Sequence, residues 1–451
     1  MKKYDILPTN ENLKKSIENN ITGRNQNIYQ LLKLLNYQEE SWAIAINGDW
    51  GSGKTFFVKQ CKYILDILNY DNYELGESIN LETIWQIDNL EEIKQKPYRT
   101  LYYDAWEHDN DPDPIQSVLK CIIAANWMSN VKNIAKKVVT IGLDIIQATT
   151  PVAAQDLKKL LNDNSQSLDL LKKQFNQTLG QLVPDKGRLV IFIDELDRCK
   201  PTYAIKLLER IKHYFSNEKI TFIFSVDLGQ LKNTVQSYYG DQFDGYSYLD
   251  RFFDLVINIP EPNIETYLSN TEDILILNKI FGNDDNYVSL FCKNLIEHFS
   301  FSLRQINHFY LKTNSATYNL IENSNKNSFF ISEQNGDFFV YGFILPLMCA
   351  LNQADISEYT RFIKGHASKD TLNILAMNSE FKSYYTDIIY NYKEQISVKD
   401  FVQILYNAIF NGTEKYNRLK ISNEAVIEDL STHKKALIDA CSLLDSHVKF
   451  A

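Results

Sequence analysis

The fold of this chain is decided by residues 42–55, which read Trp42-Ala43-Ile44-Ala45-Ile46-Asn47-Gly48-Asp49-Trp50-Gly51-Ser52-Gly53-Lys54-Thr55. An apolar run typical of a buried strand leads directly into the phosphate-binding loop pattern G-x-x-x-x-G-K-T. Glycines let successive backbone N–H groups curl around a phosphate, Lys54 adds a charge for the outer phosphates, and the Thr55 hydroxyl can bind Mg²⁺. We expect a helix from Phe56 onward, with its positive N-terminus facing the anion. The predicted nucleotide contacts in this stretch are Gly48, Asp49, Trp50, Gly51, Ser52, Gly53, Lys54, Thr55 and Phe56.

Length and composition are those of an ordinary globular protein with more than one core. The chain has 451 residues, 44% of them hydrophobic and 23% charged, so two domains are expected. The net charge is −10 and basic residues form no long run. The composition therefore does not indicate nonspecific electrostatic binding of nucleic acid. The six cysteines contain no Cys-x-x-Cys pair and the seven histidines are dispersed, so no metal cluster is predicted.

Membrane insertion is not predicted. No apolar segment follows the first lysines, as a secretory signal would require. Residues 131–154 carry four charges, and the apolar run 338–351 is only 14 residues long, against the roughly 20 that a spanning helix needs. We therefore expect buried helices in both places, reduced cysteines and a cytoplasmic protein.

A second motif, residues 188–195, reads Arg188-Leu189-Val190-Ile191-Phe192-Ile193-Asp194-Glu195. A five-residue apolar run ending in two carboxylates fits a buried parallel strand, and ligands bind at the carboxyl edge of such sheets. Asp194 can hold Mg²⁺, and Glu195 can orient or deprotonate an attacking water. Alone, this motif is weak evidence for a hydrolytic site, because strands often end in acidic residues. Together with a phosphate-binding loop it is strong evidence.

The remaining pattern predicts an α/β domain followed by a helical one. Strand-like runs at 98–106, 220–227 and 255–259 alternate with helical stretches, including a helix after Pro201 and a helical insertion near 115–180. The acidic residues between 107 and 113 are interpreted as a solvated loop. Beyond 260 the pattern is helical, so the predicted domains are 1–262 and 263–451.

Several segments together resemble the KAP family of P-loop NTPases. The most characteristic is Asp194-Glu195-Leu196-Asp197-Arg198-Cys199, followed by Pro201. The other matching segments are the tryptophan inside the phosphate-binding loop, Asp104-Ala105-Trp106, Ser225-Val226-Asp227 and Tyr248-Leu249-Asp250-Arg251-Phe252-Phe253. The resemblance spans roughly residues 20–320, and the order of the motifs is more specific than any single one.

The resemblance implies a parallel sheet of the additional-strand catalytic-glutamate type. With the patterns above, the expected fold is this sheet with helices on both faces, followed by an all-α C-terminal domain. It also implies nucleotide hydrolysis, for which we expect ATP and Mg²⁺ as the cofactors. Carried over by position, Lys54 and Thr55 would bind phosphate and Mg²⁺, and Asp194 would complete the metal site. Glu195 would activate water, and Asp227 or Ser225 would sense the γ-phosphate.

The resemblance also assigns roles to two arginines. Arg251 would act across a subunit interface, and Arg304 would read the nucleotide from a helical lid. Many family members carry transmembrane helices between the two motifs, and this insertion lacks them.

Two arginines have simpler explanations that the sequence leaves open. Gly23-Arg24 precedes a predicted helix and is similar to the base-contacting segment of AAA+ and STAND ATPases, which favours adenine over guanine; it also fits an ordinary helix start. Arg304, taken alone, is typical of a surface residue.

Four functions are compatible with these residues. The first is an ATPase whose hydrolysis drives a conformational or assembly switch in bacterial antiphage defence, with a homo-oligomer or separate effector or sensor proteins as partners. The second is a slow-turnover signalling scaffold that recruits an effector. A small-molecule kinase would need an acceptor pocket, and a nucleic-acid motor would conflict with the acidic balance.

Overall fold

A computed structural model describes residues 7–68, 79–88, 90, 93, 96–125, 129–149, 168–269, 275–277, 287–327, 337–389, 396–412, 418–420, 426–428 and 430–442. The chain divides into two compact units, one comprising Ile6–Asn270 and the other formed mainly by Thr271–Ala451. The sequence placed this division after residue 262.

The first unit is built on a parallel five-stranded sheet. Its strands are β1 (Ala43–Asn47), β2 (Tyr98–Asp104), β3 (Arg188–Asp194), β4 (Ile220–Val226) and β5 (Leu255–Asn258). The spatial order is β2-β3-β4-β1-β5, and every neighbouring pair is parallel. Strand β4 therefore lies between the strand of the phosphate-binding loop and the strand of the Asp-Glu motif, which confirms the predicted additional-strand sheet.

Burial explains why the central strands are nearly continuous apolar runs. All seven residues of β3 are buried, as are all seven of β4. Leu189 and Ile191 of β3 pack into one hydrophobic core, while Val190 and Phe192 pack into another on the opposite face. Since both faces are covered, no polar alternation is needed. The edge strand β5 differs, because its residues alternate between half-buried and exposed.

Helices cover both faces of this sheet. One core contains residues of α1 (Asn10–Glu18), α2 (Asn25–Tyr37), α3 (Lys54–Leu68) and α4 (Leu81–Trp85). The other contains residues of the insertion helices α5 (Pro114–Ala124), α6 (Ser129–Thr149) and α7 (Leu168–Gly180), and of α8 (Pro201–Tyr214), α9 (Leu228–Tyr239) and α10 (Gly245–Leu249). Helix α11 (Ile264–Ser269) closes the unit. The predicted helical insertion thus forms part of one core.

The second unit is largely helical. Its helices are α12 (Tyr287–His298), α13 (Leu303–Asn327), a π-helical turn (Phe339–Ile344) continued by α14 (Leu345–Ala354), α15 (Ile356–Ile363), α16 (Lys369–Met377), α17 (Ser379–Ile389), α18 (Val398–Phe410) and α19 (Leu430–Ser442). The predicted helical domain is confirmed, and it contains one small element that the sequence did not predict. Strands β6 (Arg418–Lys420) and β7 (Val426–Glu428) form a small antiparallel ribbon.

The longest apolar run of the second unit is buried within it. Every residue from 338 to 351 is buried, including the π-helical turn. Within the part of the chain that the structure describes, no helix is both long enough and apolar enough to cross a bilayer.

Candidate active site

The phosphate-binding loop connects β1 to α3, as the sequence predicts. Gly51 and Gly53 have φ angles of 85° and 91°, a left-handed conformation that side chains disfavour. A Cβ at Gly48 would lie 2.4 Å from the Ile259 Cγ2 atom, so this glycine is required by space. The loop therefore needs its glycines for the tight curl that points backbone N–H groups at an anion.

Lys54 begins α3 and lies folded into the loop. Its Nζ donates to the carbonyl oxygens of Gly48, at 2.6 Å, and Asp49, at 3.1 Å. Burial lowers the pKa of Lys54, while four acids nearby oppose that shift. In order of decreasing effect they are Asp197, Asp227, Asp194 and Glu195. The structure thus brings the predicted phosphate lysine together with the predicted acidic residues.

Thr55 and Asp194 lie at the carboxyl edge of the sheet with their oxygens held in place. The Thr55 hydroxyl donates to Glu195 Oε1 at 3.3 Å. Asp194 is 1% exposed; its Oδ2 accepts from the Tyr102 hydroxyl at 2.7 Å and its Oδ1 from the Glu195 N–H at 2.9 Å. A hydroxyl and a carboxylate are hard oxygen ligands of the kind Mg²⁺ prefers, with phosphate and water completing its shell. Among the described residues, no group of three or more His, Cys, Asp and Glu side chains could hold a metal ion.

Tyr102 was not predicted from the sequence. It sits on β2, whose register pairs Asp104 with Asp194. Burial, followed by the charge of Asp194, raises the pKa of Tyr102, so its hydroxyl stays protonated and donates. The sequence shows that β2 is rich in aromatic residues. It does not show that β2 lies beside β3, on which the hydrogen bond from Tyr102 to Asp194 depends.

Glu195 adopts an unusual backbone conformation. Its φ is 60° and its ψ is 24°, a left-handed region uncommon for residues other than glycine. Burial, and second the charge of Asp194, raise the pKa of Glu195 to about 7, and Arg198 acts in the opposite direction. Strained backbone and a raised carboxyl pKa both cluster at functional sites.

A short 3₁₀ turn, Leu196–Arg198, links the Asp-Glu motif to the rest of the site. Asp197 accepts a 2.6 Å hydrogen bond from Trp50 Nε1, which ties the turn to the phosphate-binding loop. Burial raises the pKa of Asp197, and the Trp50 bond opposes this. Arg198 Nε forms an ion pair with Glu195 Oε2, and the guanidinium carbon lies 5.5 Å from the centre of the Trp106 ring. The sequence analysis predicts Trp50 as a nucleotide contact and matches Trp106 only as part of a family segment. In the structure Trp50 is bonded to Asp197, and Trp106 lies beside Arg198.

The two candidate γ-phosphate sensors lie in different surroundings. Ser225 is paired with Asp194 in the β3–β4 register, and its Oγ is buried with no hydrogen-bond partner among the described residues. Asp227 caps α9 by accepting from the Gln230 N–H at 3.0 Å. Ser225 therefore has an unused donor at the sheet edge, whereas Asp227 already serves a helix.

Arg24 is placed under the phosphate-binding loop. It is 1% exposed, and its side chain donates to the carbonyls of Ser52, at 2.9 Å, and Pro260, at 2.8 Å. Burial lowers the pKa of Arg24 to about 10. These contacts make Arg24 a support of the loop, joining it to the segment after β5.

Of the other two predicted arginines, Arg251 lies at the opposite edge of the sheet and Arg304 belongs to the second unit. Arg251 is exposed and precedes β5, at the amino edge of the sheet, where Lys212 Nζ donates to its carbonyl oxygen. Arg304 is an exposed residue of α13 in the second unit.

Acidic residues in the loop after β2 cap the next helix and form ion pairs with nearby basic side chains. Asp113 caps α5 and pairs with Arg210 at 3.1 Å. Asp111 pairs with Lys120 at 3.2 Å and lies 3.5 Å from His108 Nδ1. These acids hold the start of the insertion.

A parallel sheet with an extra strand between a phosphate-binding loop and an Asp-Glu edge defines a P-loop NTPase. The chain belongs to the KAP family: the description "KAP family P-loop domain" matches residues 24–315, more than half of its length. Family and site geometry together support nucleotide binding and hydrolysis.

Other comparisons add little. No curated protein matches the chain. A solved structure of the Aeropyrum pernix ORC2 protein, in ADPNP-ADP complexes, is similar at 13% identity over 93% of this chain and 94% of that one, with a TM-score of 0.34. A likeness at that score carries no argument about this chain.

Proposed function

We propose that this protein hydrolyses ATP in a magnesium-dependent reaction and that the hydrolysis operates a conformational or assembly switch. The observation that carries the proposal is the contact between the Thr55 hydroxyl and the Glu195 carboxylate, 3.3 Å apart. It sets a candidate water-activating carboxylate beside the candidate metal ligand of the phosphate-binding loop.

The chemistry needs a few fixed groups. The loop N–H groups and Lys54 would bind and orient the phosphates. Thr55 and Asp194 would hold a magnesium ion, which would supply neutralisation of phosphate charge. Glu195 accepts the proton of the attacking water. A carboxyl group with a pKa near 7 matches that role, because a base works best with a pKa close to the operating pH. Ser225 is the better-placed sensor, since its hydroxyl has no other partner among the described residues.

The proposal of ATP rather than GTP rests on the segment around Arg24. Its guanidinium is occupied with Ser52 and Pro260, so this residue would act by shaping the loop. Direct competition of ATP and GTP for binding decides the point; a preference for GTP would overturn the proposed specificity.

The switch is proposed to involve a homo-oligomer or a separate effector. Arg251 lies at the amino edge of the sheet, whereas the nucleotide site lies at the carboxyl edge. For Arg251 to reach a phosphate, it would have to act on another subunit. The mass of the particle with and without ATP and Mg²⁺ tests this, and a mass that ATP leaves unchanged would argue against an assembly switch.

Phosphate release measured with Glu195→Gln tests hydrolysis itself. We expect turnover to fall by about 10²- to 10⁴-fold, as removal of a general base usually produces, with nucleotide affinity retained. Turnover unaffected by the substitution would show that Glu195 is not the water-activating group.

A second function, the slow-turnover scaffold, is favoured by one observation. Both oxygens of Glu195 are engaged, one by Thr55 and the other by Arg198. Under this alternative ATP binding alone recruits an effector, and partner capture would be the same with wild-type protein and Glu195→Gln.

A role in bacterial antiphage defence, in the cytoplasm, is proposed only by analogy with PifA-like phage exclusion. Plaque counts on cells expressing wild-type protein or Lys54→Ala test it. Equal plaque counts would remove the analogy without affecting the proposed ATPase.

A further inference from the structure

The turn after β3 contacts one carboxylate oxygen of the candidate base Glu195, and Thr55 contacts the other. Arg198 stands three residues after Glu195 and pairs with its Oε2, while Thr55 bonds to Oε1. The side chains of Arg198 and Glu195 are 24% and 16% exposed, so this ion pair is partly shielded from water. An ion pair in such a position orients a carboxylate more firmly than an exposed one.

Trp106 in turn covers Arg198. The guanidinium carbon lies 5.5 Å from the centre of the indole ring, within the range of a cation–π contact. The backbone at Trp106 is itself fixed, because its N–H donates to Asp104 Oδ1 at 3.1 Å. A chain of contacts therefore runs from the end of β2 through Trp106 and Arg198 to Glu195.

The backbone conformation of Glu195 suggests what this series of contacts does. A residue at φ 60° lies in a sparsely populated backbone region, which persists only when the surrounding structure holds it. The backbone at Glu195 also accepts from the Arg198 N–H at 3.2 Å, so the arginine returns to its carboxylate across one tight turn. We propose that Arg198 and Trp106 are positioning residues for Glu195: Arg198 holds the carboxylate toward the water that attacks the nucleotide, and Trp106 holds Arg198. This inference rests on the proposed hydrolysis and assigns two residues to it.

The experiment measures kcat, KM and nucleotide affinity of single variants. Arg198→Gln removes the ion pair, and we expect kcat to fall about 10- to 100-fold, because a misplacement near 1 Å costs up to 10²-fold. KM and nucleotide affinity should stay within about twofold, because the contacts described above join Arg198 and Trp106 to Glu195, to each other and to Asp104. Arg198→Lys keeps the charge and should restore part of kcat.

Trp106 is tested in the same assay. Trp106→Ala should lower kcat about 2- to 5-fold, the value of an exposed cation–π contact, and Trp106→Phe should remain closer to wild type because it keeps a ring face. Lys200→Gln is the matched control: it removes an exposed positive charge two residues after Arg198 and should leave kcat unchanged.

A double variant separates positioning from general damage. If Trp106 acts through Arg198, the variant Trp106→Ala with Arg198→Gln is no slower than Arg198→Gln alone. Two independent effects would multiply instead, and that result overturns the inference. So would an unchanged or increased kcat in Arg198→Gln, the latter meaning that the arginine restrains the base rather than aims it.

Melting temperatures confirm that each variant is folded, and if Arg198→Gln does not fold, Arg198→Lys and Trp106→Ala decide the question. Absence of ATP turnover in the wild-type protein would refute the proposed function and with it this inference. Wild-type turnover that depends on Glu195, but not on Arg198 or Trp106, would refute the inference alone.

Discussion

Replacing Glu195 by glutamine should stabilise the first unit, and the gain should depend on pH. The folded protein raises the pKa of Glu195 from 4.5 to about 7, so ionising this side chain opposes folding. At ~1.4 kcal/mol for each pH unit between those values, the ionised carboxylate destabilises the fold by roughly 3 kcal/mol. Glutamine resembles the protonated acid and does not carry that penalty.

The direction follows from which state binds the proton more tightly. Between about pH 4.5 and 7 the folded state retains a proton on Glu195 that the unfolded state has lost, so wild-type stability attributable to this group falls as pH rises. At about pH 8 we expect Glu195→Gln to be more stable than wild type by roughly 2–3 kcal/mol. Near pH 4.5 the difference should be small, because Glu195 is then protonated in the folded state and about half protonated in the unfolded state.

Urea unfolding followed by tryptophan fluorescence measures this gain. All five tryptophans precede residue 128, so the signal reports the unit that holds the site. The measurement is made without nucleotide and with a chelator, so that metal binding does not contribute to the unfolding free energy. Glu218→Gln, an exposed side chain before β4, is the control and should change little. A gain equal at all pH values, or no gain at about pH 8, would refute the reasoning.

Three further substitutions test the supports of the site. Trp50→Phe removes the 2.6 Å bond to Asp197 and should destabilise the unit by about 1–2 kcal/mol in urea unfolding; the loss should vanish in an Asp197→Asn background if the bond is responsible. Arg24→Met removes the donor to the Ser52 carbonyl and should weaken binding of a fluorescent ATP analogue about tenfold, whereas unchanged affinity would mean the loop holds its shape alone. Phe192→Ala opens a cavity under β3 and should lower the unfolding free energy by about 3–5 kcal/mol; a loss under about 1 kcal/mol would contradict the packing described.

The strands and the phosphate-binding loop were predictable because their physical causes are local. A strand buried on both faces must be apolar, and β3 and β4 are buried along their whole length. The extra strand was predicted only through the family resemblance, since neighbours in a sheet need not be neighbours in sequence. The β6–β7 ribbon was missed because its three-residue strands are too short to show alternation.

The supports of the site were harder to predict than its reacting groups. Lys54, Thr55, Asp194 and Glu195 belong to motifs whose spacing carries their chemistry. Tyr102 depends on strand register, which no local pattern encodes. Similarly, Arg24 fitted a base-contacting segment or a helix start, and only the fold shows it bonded beneath Ser52.

The crossover between β2 and β3 is unusually long, yet it leaves the sheet after Asp104 and re-enters it at Arg188 on the neighbouring strand. A connection between adjacent parallel strands can change its size without altering the register of the strands it joins. The insertion leaves the register of the two strands unchanged, although its helices pack into the core on one face of the sheet. Its entrance, however, is the short segment from Tyr102 to Trp106, which contacts both Asp194 and Arg198. The insertion is thus joined through a single strand end to residues that contact the two carboxylates of the site.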